Sequence, residues 1–299
     1  MWRRNWPNHG GKGECRYQMP AGTRRWILSL PCKGVAYVLL ALVAVAQSQT
    51  FATVTIVPAR SVNPTDERTQ LLPDGDWIAT GIPVIRLLSI AYDVPVNPSP
   101  RLSSLPDWPE RYDIKAQAAA NSLSGSISDS ELRSRIQRMI RGMLTDRFGL
   151  VMKVEQKKMS VYALTAGSGG PKLQKSAIDE KNCAFSTGPE GCHYFAGGFG
   201  HPLNGTAINM DDLAHYIENW TDLPVVNRTA LSGLFTVNTE GWIPMTLPPP
   251  PPNATPAENR FARLPTIFTV LGKLGLELRR QEETVPVYTV AHIERPTVK

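Results

Sequence analysis

Apolar and polar residues alternate in four stretches of the chain, a pattern typical of half-buried β-strands, whose successive side chains point to opposite faces. The stretches are Phe51–Val57, Tyr112–Ala116, Leu150–Val154 and Val161–Leu164. Gln156–Ser160 separates the last two stretches, so we expect them to form a hairpin with its tip at that segment. We expect a second hairpin near the C-terminus, with its tip at Glu282–Pro286.

Apolar residues recur at helical spacing in two segments of the first half of the chain. The first segment contains Ile82, Ile85, Leu88 and Tyr92, and Pro95 stops it. The second begins at the capping box Ser128–Glu131, whose hydroxyl and carboxylate satisfy backbone N–H groups, and ends at Gly149. Its apolar stripe consists of Leu132, Ile136, Met139, Ile140, Met143 and Leu144.

A further helix is predicted from Met210 to about Trp220, with Asn209 as its N-cap. Asp211 and Asp212 lie in its first turn, where carboxylates complement the helix dipole. His215 and Glu218 share one face of this helix, which at this spacing usually means a solvated face.

The order of these elements occurs twice. The segment Phe148–Ala166 aligns without gaps with Leu274–His292, at an offset of 126 residues. The same offset places Ile78–Leu88 over Asn204–Ala214. The sequence therefore predicts an α+β fold made of two tandem copies of a strand–helix–strand–helix–hairpin unit with antiparallel sheets.

The predicted boundaries follow from this repeat. The first copy covers residues 51–173, a linker with a cysteine loop covers 174–202, and the second copy covers 203–297. A polyproline run at 244–257 interrupts the second copy. Consecutive prolines cannot enter a helix or a central strand, so this run is expected to be a solvated spacer loop, or alternatively a segment that docks in an aromatic groove of a partner.

Composition is that of a folded globular protein, with 42% hydrophobic and 19% charged residues, and the net charge is +6. The charge is uneven, because residues 1–46 hold seven basic groups and one acidic group. The remaining residues hold 25 of each sign. A nucleic-acid-binding protein needs a basic footprint, so the body of the chain argues against nucleic acid as a partner.

The N-terminus has the pattern of a secretory signal peptide, predicted to cover residues 1–46. Basic residues precede the thirteen uncharged residues Gly34–Ala46, which end on the small-residue pattern Ala44-Val45-Ala46. Translation could begin at Met1 or at Met19. The segment is shorter than the ~20 apolar residues of a spanning helix, and an uncleaved N-terminal membrane anchor is the alternative. Either way the sequence predicts an extracytoplasmic protein, periplasmic or secreted.

Export decides how the cysteines are interpreted. Once the signal is removed, only Cys183 and Cys192 remain, and a pair so close in an oxidising compartment is expected to form a disulfide. The alternative is a zinc site that uses both cysteines with His193 and His201.

The chain resembles a large group of uncharacterised secreted proteins, found mainly in acidobacteria and classed as a domain of unknown function. The residues that carry the resemblance are Phe51–Pro58, Ile82–Pro95, Arg111–Ala116, Met139–Leu173, Leu223–Val237 and Pro286–Pro296. In that group the domain is sometimes fused to a BlaR-type membrane metallopeptidase, which implies a sensing or interaction role. The resemblance implies no catalytic residues.

Few residues have a pattern that points to chemistry. The sequence contains no H-E-x-x-H, S-x-x-K, G-x-S-x-G or P-loop motif. A possible ligand contact is the segment of Gly167, Gly169, Gly170 and Lys172, whose N–H groups could form an anion-binding nest; the simpler interpretation is a turn after a strand.

Two hypotheses about function follow. The first is a non-enzymatic binding or sensing module, without a cofactor, whose partner is an envelope protein or a small signal. The second is a cell-envelope hydrolase with paired carboxylates taken from Asp129, Glu131, Asp146 and Glu155.

Overall fold

The computed structural model describes residues 50–296, with gaps at 62, 73, 96–98, 120–128, 184–191, 199, 244, 246–252 and 254–262; side chains are not described at 129–130. The chain divides into two units, Met1–Ser48 and Gln49–Lys299, and the described residues all belong to the second. The predicted signal peptide, the hydroxyl of the capping box at Ser128 and most of the polyproline run lie outside the described residues.

The described part of the chain contains four helices and twelve strands. The helices are α1 (Val84–Tyr92), α2 (Asp129–Phe148), α3 (Met210–Glu218) and α4 (Ile267–Lys273). The strands are β1 (Thr53–Pro58), β2 (Arg68–Leu71), β3 (Trp77–Pro83), β4 (Leu102–Ser103), β5 (Arg111–Gln117), β6 (Val151–Ala166), β7 (Gln174–Lys175), β8 (Ala196–Gly198), β9 (His201–Ile208), β10 (Val225–Asn227), β11 (Phe235–Asn238) and β12 (Leu276–His292). Short 3₁₀ turns lie at Pro64–Asp66 and Glu180–Asn182. No described helix is both long enough and apolar enough to cross a bilayer.

Three four-stranded sheets, mostly antiparallel, confirm the predicted α+β class. The first has the strand order β1-β5-β3-β2, the second β7-β11-β9-β8, and the third, between segments distant in sequence, β10-β6-β12-β4. The elements from β1 to β6 have the same order as those from β7 to β12, and the first two sheets have matching strand orders. Descent of both segments from one duplicated unit stays a prediction.

The two predicted hairpins are wrong. β6 and β12 are single strands of 16 and 17 residues that pair with each other antiparallel along their lengths. The segments expected to be hairpin tips lie opposite each other, with Lys158 facing Thr284. Neither segment contains the Gly or Asn residues that a tight hairpin turn requires, so each strand continues and the other strand satisfies its backbone groups.

The predicted helices are largely confirmed. Ile136, Met139, Ile140, Met143 and Leu144 of the α2 stripe are all buried in one core cluster, with α1 and the first sheet. Gly149 follows α2 with φ +60°, the left-handed conformation of a helix C-cap. Ile82 belongs to β3 instead of α1, because α1 begins only after Pro83, which is extended at its N-cap. A second core cluster joins α3, α4 and the second sheet around Trp242.

Candidate functional site

We call the elements from β1 to β6 the first segment and those from β7 to β12 the second segment. A cleft lies between α1 and α2 of the first segment and a loop and α3 of the second. It consists of two adjoining cavities of about 390 and 480 Å³. The residues that line both cavities are Asp93, Arg133, Gln137, His193, Tyr194 and His215. They come from the end of α1, from α2, from the loop after the disulfide and from α3, so one continuous cleft runs between the two segments.

His193 is the most constrained side chain of the cleft. Its backbone is left-handed, with φ +59°, and its side chain is only 2% exposed. Nδ1 lies 2.5 Å from Asp212 Oδ2 and Nε2 lies 3.1 Å from Glu180 Oε1. The hydrogen bond to Asp212 raises the pKa of His193, and burial opposes this shift. Because both ring nitrogens face carboxylate oxygens, the imidazolium form satisfies the whole arrangement.

Asp212 connects this histidine to the start of α3. Its N–H donates to Asn209 Oδ1 at 2.8 Å, and its Oδ2 accepts from the Asn209 N–H at 2.9 Å. This reciprocal pair confirms the predicted N-cap at Asn209. Asp212 Oδ1 also lies 3.7 Å from Arg133 Nη1, so one carboxylate connects α3, the cysteine loop and α2. The sequence pattern predicts for Asp212 only that it complements the helix dipole.

The disulfide prediction is confirmed, because Cys183 and Cys192 are bonded, with their Cα atoms 5.7 Å apart. The bond closes the loop directly before His193, and Cys192 is buried against Ala207 and Leu234. The alternative set of zinc ligands is not assembled as expected. Among the described residues, the donor atoms that meet belong to Glu180, Cys183 and His193, whereas His201 opens β9 and is exposed.

The glycine-rich segment after β6 is tied to the chain after α4. The N–H of Gly167 donates to Gly275 O at 2.8 Å, and the N–H of Lys172 donates to Leu274 O at 2.7 Å. The N–H of Gly170 donates to Gly167 O at 2.9 Å, and Gly169 lies within the turn that this hydrogen bond closes. These donors are engaged within the fold, which favours the turn over the anion nest; a ligand contact through Lys172 stays a prediction.

Three carboxylates of the hydrolase hypothesis have described side chains, Glu131, Asp146 and Glu155, and they line neither cavity of the cleft. Glu131 and Asp146 stand fifteen residues apart on α2, which is about 22 Å along a helix. Glu131 pairs with Arg135, and Glu155, on the exposed part of β6, pairs with Lys153 at 2.5 Å. The side chain of Asp129 lies outside the described residues.

A buried ion pair connects Glu218, the last residue of α3, with Arg101, which directly precedes β4. Glu218 is 4% exposed and its Oε1 lies 2.6 Å from Arg101 Nη2, while its Oε2 accepts from the Val225 N–H at 3.2 Å. Burial raises the pKa of Glu218, and Arg101 opposes the shift. The expectation of a solvated face shared with His215 is therefore wrong for Glu218. His215 instead lies 3.6 Å from Asp93 of the first segment.

The fold and the cleft define an α+β protein with a disulfide-closed loop beside a cleft between two similar segments. The chain belongs to the family described as "Protein of unknown function (DUF3738)", whose model matches residues 85–293, from α1 to just beyond β12. No curated protein and no solved structure matches the chain.

Proposed function

We propose that this protein is a non-enzymatic, extracytoplasmic module that binds a small polar ligand, such as a signal from the cell envelope, in the cleft between the two segments. The observation that carries the proposal is the shared lining of the two cavities by groups of both segments. Each cavity falls in the size range of small-ligand sites.

The lining supports a polar ligand of mixed charge. Arg133 supplies a positive group, Asp93 supplies a negative group, and Gln137 supplies an amide that both donates and accepts hydrogen bonds. Tyr194 adds an aromatic surface, and Phe195 stacks on Tyr216 nearby with ring centroids 4.7 Å apart. A ligand that carries hydrogen-bond donors, acceptors and an apolar face could therefore contact a matching group of the cleft with each of them.

The state of His193 supports binding over catalysis. A general base needs a free lone pair, but carboxylates at 2.5 and 3.1 Å engage both ring nitrogens of His193. Neither ring nitrogen is therefore free to take a proton from a ligand in the cleft.

The test is a thermal-shift screen of the purified protein against amino acids, short peptides, monosaccharides and disaccharides. A bound probe at a hundred times its Kd stabilises a protein by about 2.7 kcal/mol. For a chain of this size this corresponds to a Tm increase of roughly 5–10 °C. Gln137→Ala should reduce the shift. Gln156→Ala, the same substitution on the exposed part of β6, should leave it unchanged.

A probe that shifts Tm equally in the wild type and in Gln137→Ala would refute the cleft as its site. Consumption of the probe, followed by chromatography, would contradict a non-enzymatic role and favour the hydrolase.

We also propose export across the cytoplasmic membrane, which the disulfide and the pattern of residues 1–46 support. The test is mass spectrometry of the N-terminus of the full chain after expression and cell fractionation. Cleavage after Ala46 and an extracytoplasmic location are expected. An intact N-terminus in the membrane fraction would favour the anchor, and an intact chain in the cytoplasm would refute export.

A further inference from the structure

The disulfide loop holds more metal-binding groups than a structural cross-link needs. One carboxylate oxygen of Glu180, the sulfur of Cys183 and a ring nitrogen of His193 all lie within 4.8 Å of one another. Cys192 is bonded to Cys183, so its sulfur lies directly beside the Cys183 sulfur. Two sulfurs, one imidazole and one carboxylate are a complete donor set for a tetrahedral zinc ion, in which neighbouring donors are about 3.3–3.8 Å apart.

We propose that this loop is a redox-controlled site for a thiophilic divalent cation such as Zn²⁺. In the reduced chain Glu180, Cys183, Cys192 and His193 bind one ion, and formation of the disulfide abolishes the site. The proposal goes beyond ligand binding in the cleft and does not depend on it.

The orientation of His193 is the first argument. Asp212 engages Nδ1, and this carboxylate is itself fixed by the Asn209 N–H. Nε2 is then directed toward Glu180, the carboxylate that is grouped with the Cys183 sulfur. A histidine whose second nitrogen donates to a carboxylate is the usual arrangement around protein-bound zinc, because that hydrogen bond fixes the ring and its tautomer.

The backbone supplies the second argument, because the donors are held by hydrogen bonds that do not depend on the S–S bond. The N–H of Cys183 donates to Glu180 O at 3.2 Å and closes the 3₁₀ turn, so these residues stand three apart on one side of it. The N–H of His193 donates to Ala207 O at 2.7 Å, which ties the residue after Cys192 to β9.

Burial and access suit a reversible site. The side chain of His193 is 2% exposed and Cys192 is buried, whereas the Glu180 side chain is 41% exposed. The carboxylate therefore lies on the solvent side, where an ion or a reductant would approach.

The chemistry balances with a dithiol as the reductant. The dithiol is oxidised to its disulfide and supplies two electrons and two protons, which convert the Cys183–Cys192 bond to two thiols. Binding of the cation displaces both thiol protons, and Nε2 of His193 binds the ion through its lone pair while Nδ1 keeps its proton toward Asp212. Removal of two electrons by a disulfide oxidant restores the S–S bond and releases the ion.

The test titrates Co²⁺ into the full purified chain under anaerobic conditions, after reduction and removal of the reductant. We expect one Co²⁺ per reduced chain, with the intense visible absorption of a tetrahedral thiolate site and displacement by Zn²⁺. The oxidised chain should show no such spectrum. Binding of Co²⁺ to the oxidised chain with equal affinity, or no tight binding to the reduced chain, would overturn the proposal.

Variants separate this site from the alternative that uses His201. Glu180→Gln should weaken binding at least ~10-fold, and Asp212→Asn about 10–100-fold through the orientation of His193. His201→Ala is the matched control and should bind like the wild type. Glu180 is partly exposed, so its variant should fold, which circular dichroism of the oxidised form checks. Equal losses in Glu180→Gln and His201→Ala would refute this ligand set.

Discussion

Replacing Asp212 by Asn tests whether the hydrogen bond to His193 stabilises the disulfide-bonded fold. The substitution keeps the shape of the side chain but removes its charge. Because the side chains of Asp212 and His193 are 11% and 2% exposed, solvent screens their interaction weakly. A hydrogen bond to a charged group contributes about 1.5–3 kcal/mol. We therefore expect Asp212→Asn to lower the free energy of unfolding by about 2 kcal/mol at pH 6.

The loss should depend on pH in a defined direction. The folded-state pKa of His193 is raised above its unfolded value of about 6.5. Stability from the charged ring is therefore fully present below pH ~6.5 and is lost as pH rises through the folded pKa. Above that pKa a neutral hydrogen bond remains, so the cost of Asp212→Asn should fall to about 1 kcal/mol at pH 9.

The assay is urea unfolding at pH 6 and pH 9, monitored by tryptophan fluorescence, with a chelator present and the disulfide intact. Asp211→Asn is the matched control, because Asp211 lies in the same first turn of α3 but is exposed and pairs with Asn227 at 3.0 Å. The control should lose at most about 1 kcal/mol, the usual size of a helix-dipole effect. Equal losses in both variants, or a loss in Asp212→Asn that is the same at both pH values, would refute the reasoning.

Three further changes have expected outcomes in the same unfolding assay. Gly275→Ala should destabilise the fold by at least ~2 kcal/mol, because φ is +69° and a Cβ would lie 2.1 Å from Gly170 O. The control is Gly272→Ala in α4, where a Cβ would meet open space, so this variant should stabilise the fold by up to about 1 kcal/mol. Equal effects of the two substitutions on the free energy of unfolding would contradict the argument. Glu218→Gln should cost about 3–5 kcal/mol because it leaves the charge of Arg101 unpaired in a buried position, and a neutral result would show that the pair is not desolvated. Reduction of the disulfide, with metal excluded, should cost about 2.5–3 kcal/mol for a loop of about ten residues, and an unchanged midpoint would refute its stabilising role.

Some features of the candidate site can be predicted from residues that are close in sequence, and others cannot. The N-cap at Asn209 and the disulfide were predictable because each depends on residues close in sequence whose chemistry is specific. The contacts of His193 were not, because its partners lie 13 and 19 residues away and no local spacing selects them. One signal was available, since His193 directly follows a cysteine that the sequence predicts to be cross-linked.

The sequence by itself determined the α+β class, the buried stripe of α2, the cap of α3 and the disulfide, because periodicity, capping chemistry and cysteine spacing act within a few residues. Only the tertiary structure decided that β6 and β12 pair with each other, that Glu218 is buried against Arg101 and that His193 lies between two carboxylates. Alternation reports that a segment is a strand but not which strand it pairs with. The pairing of β6 with β12 is selected by burial and by backbone hydrogen bonds, and both depend on residues more than a hundred positions apart in the sequence.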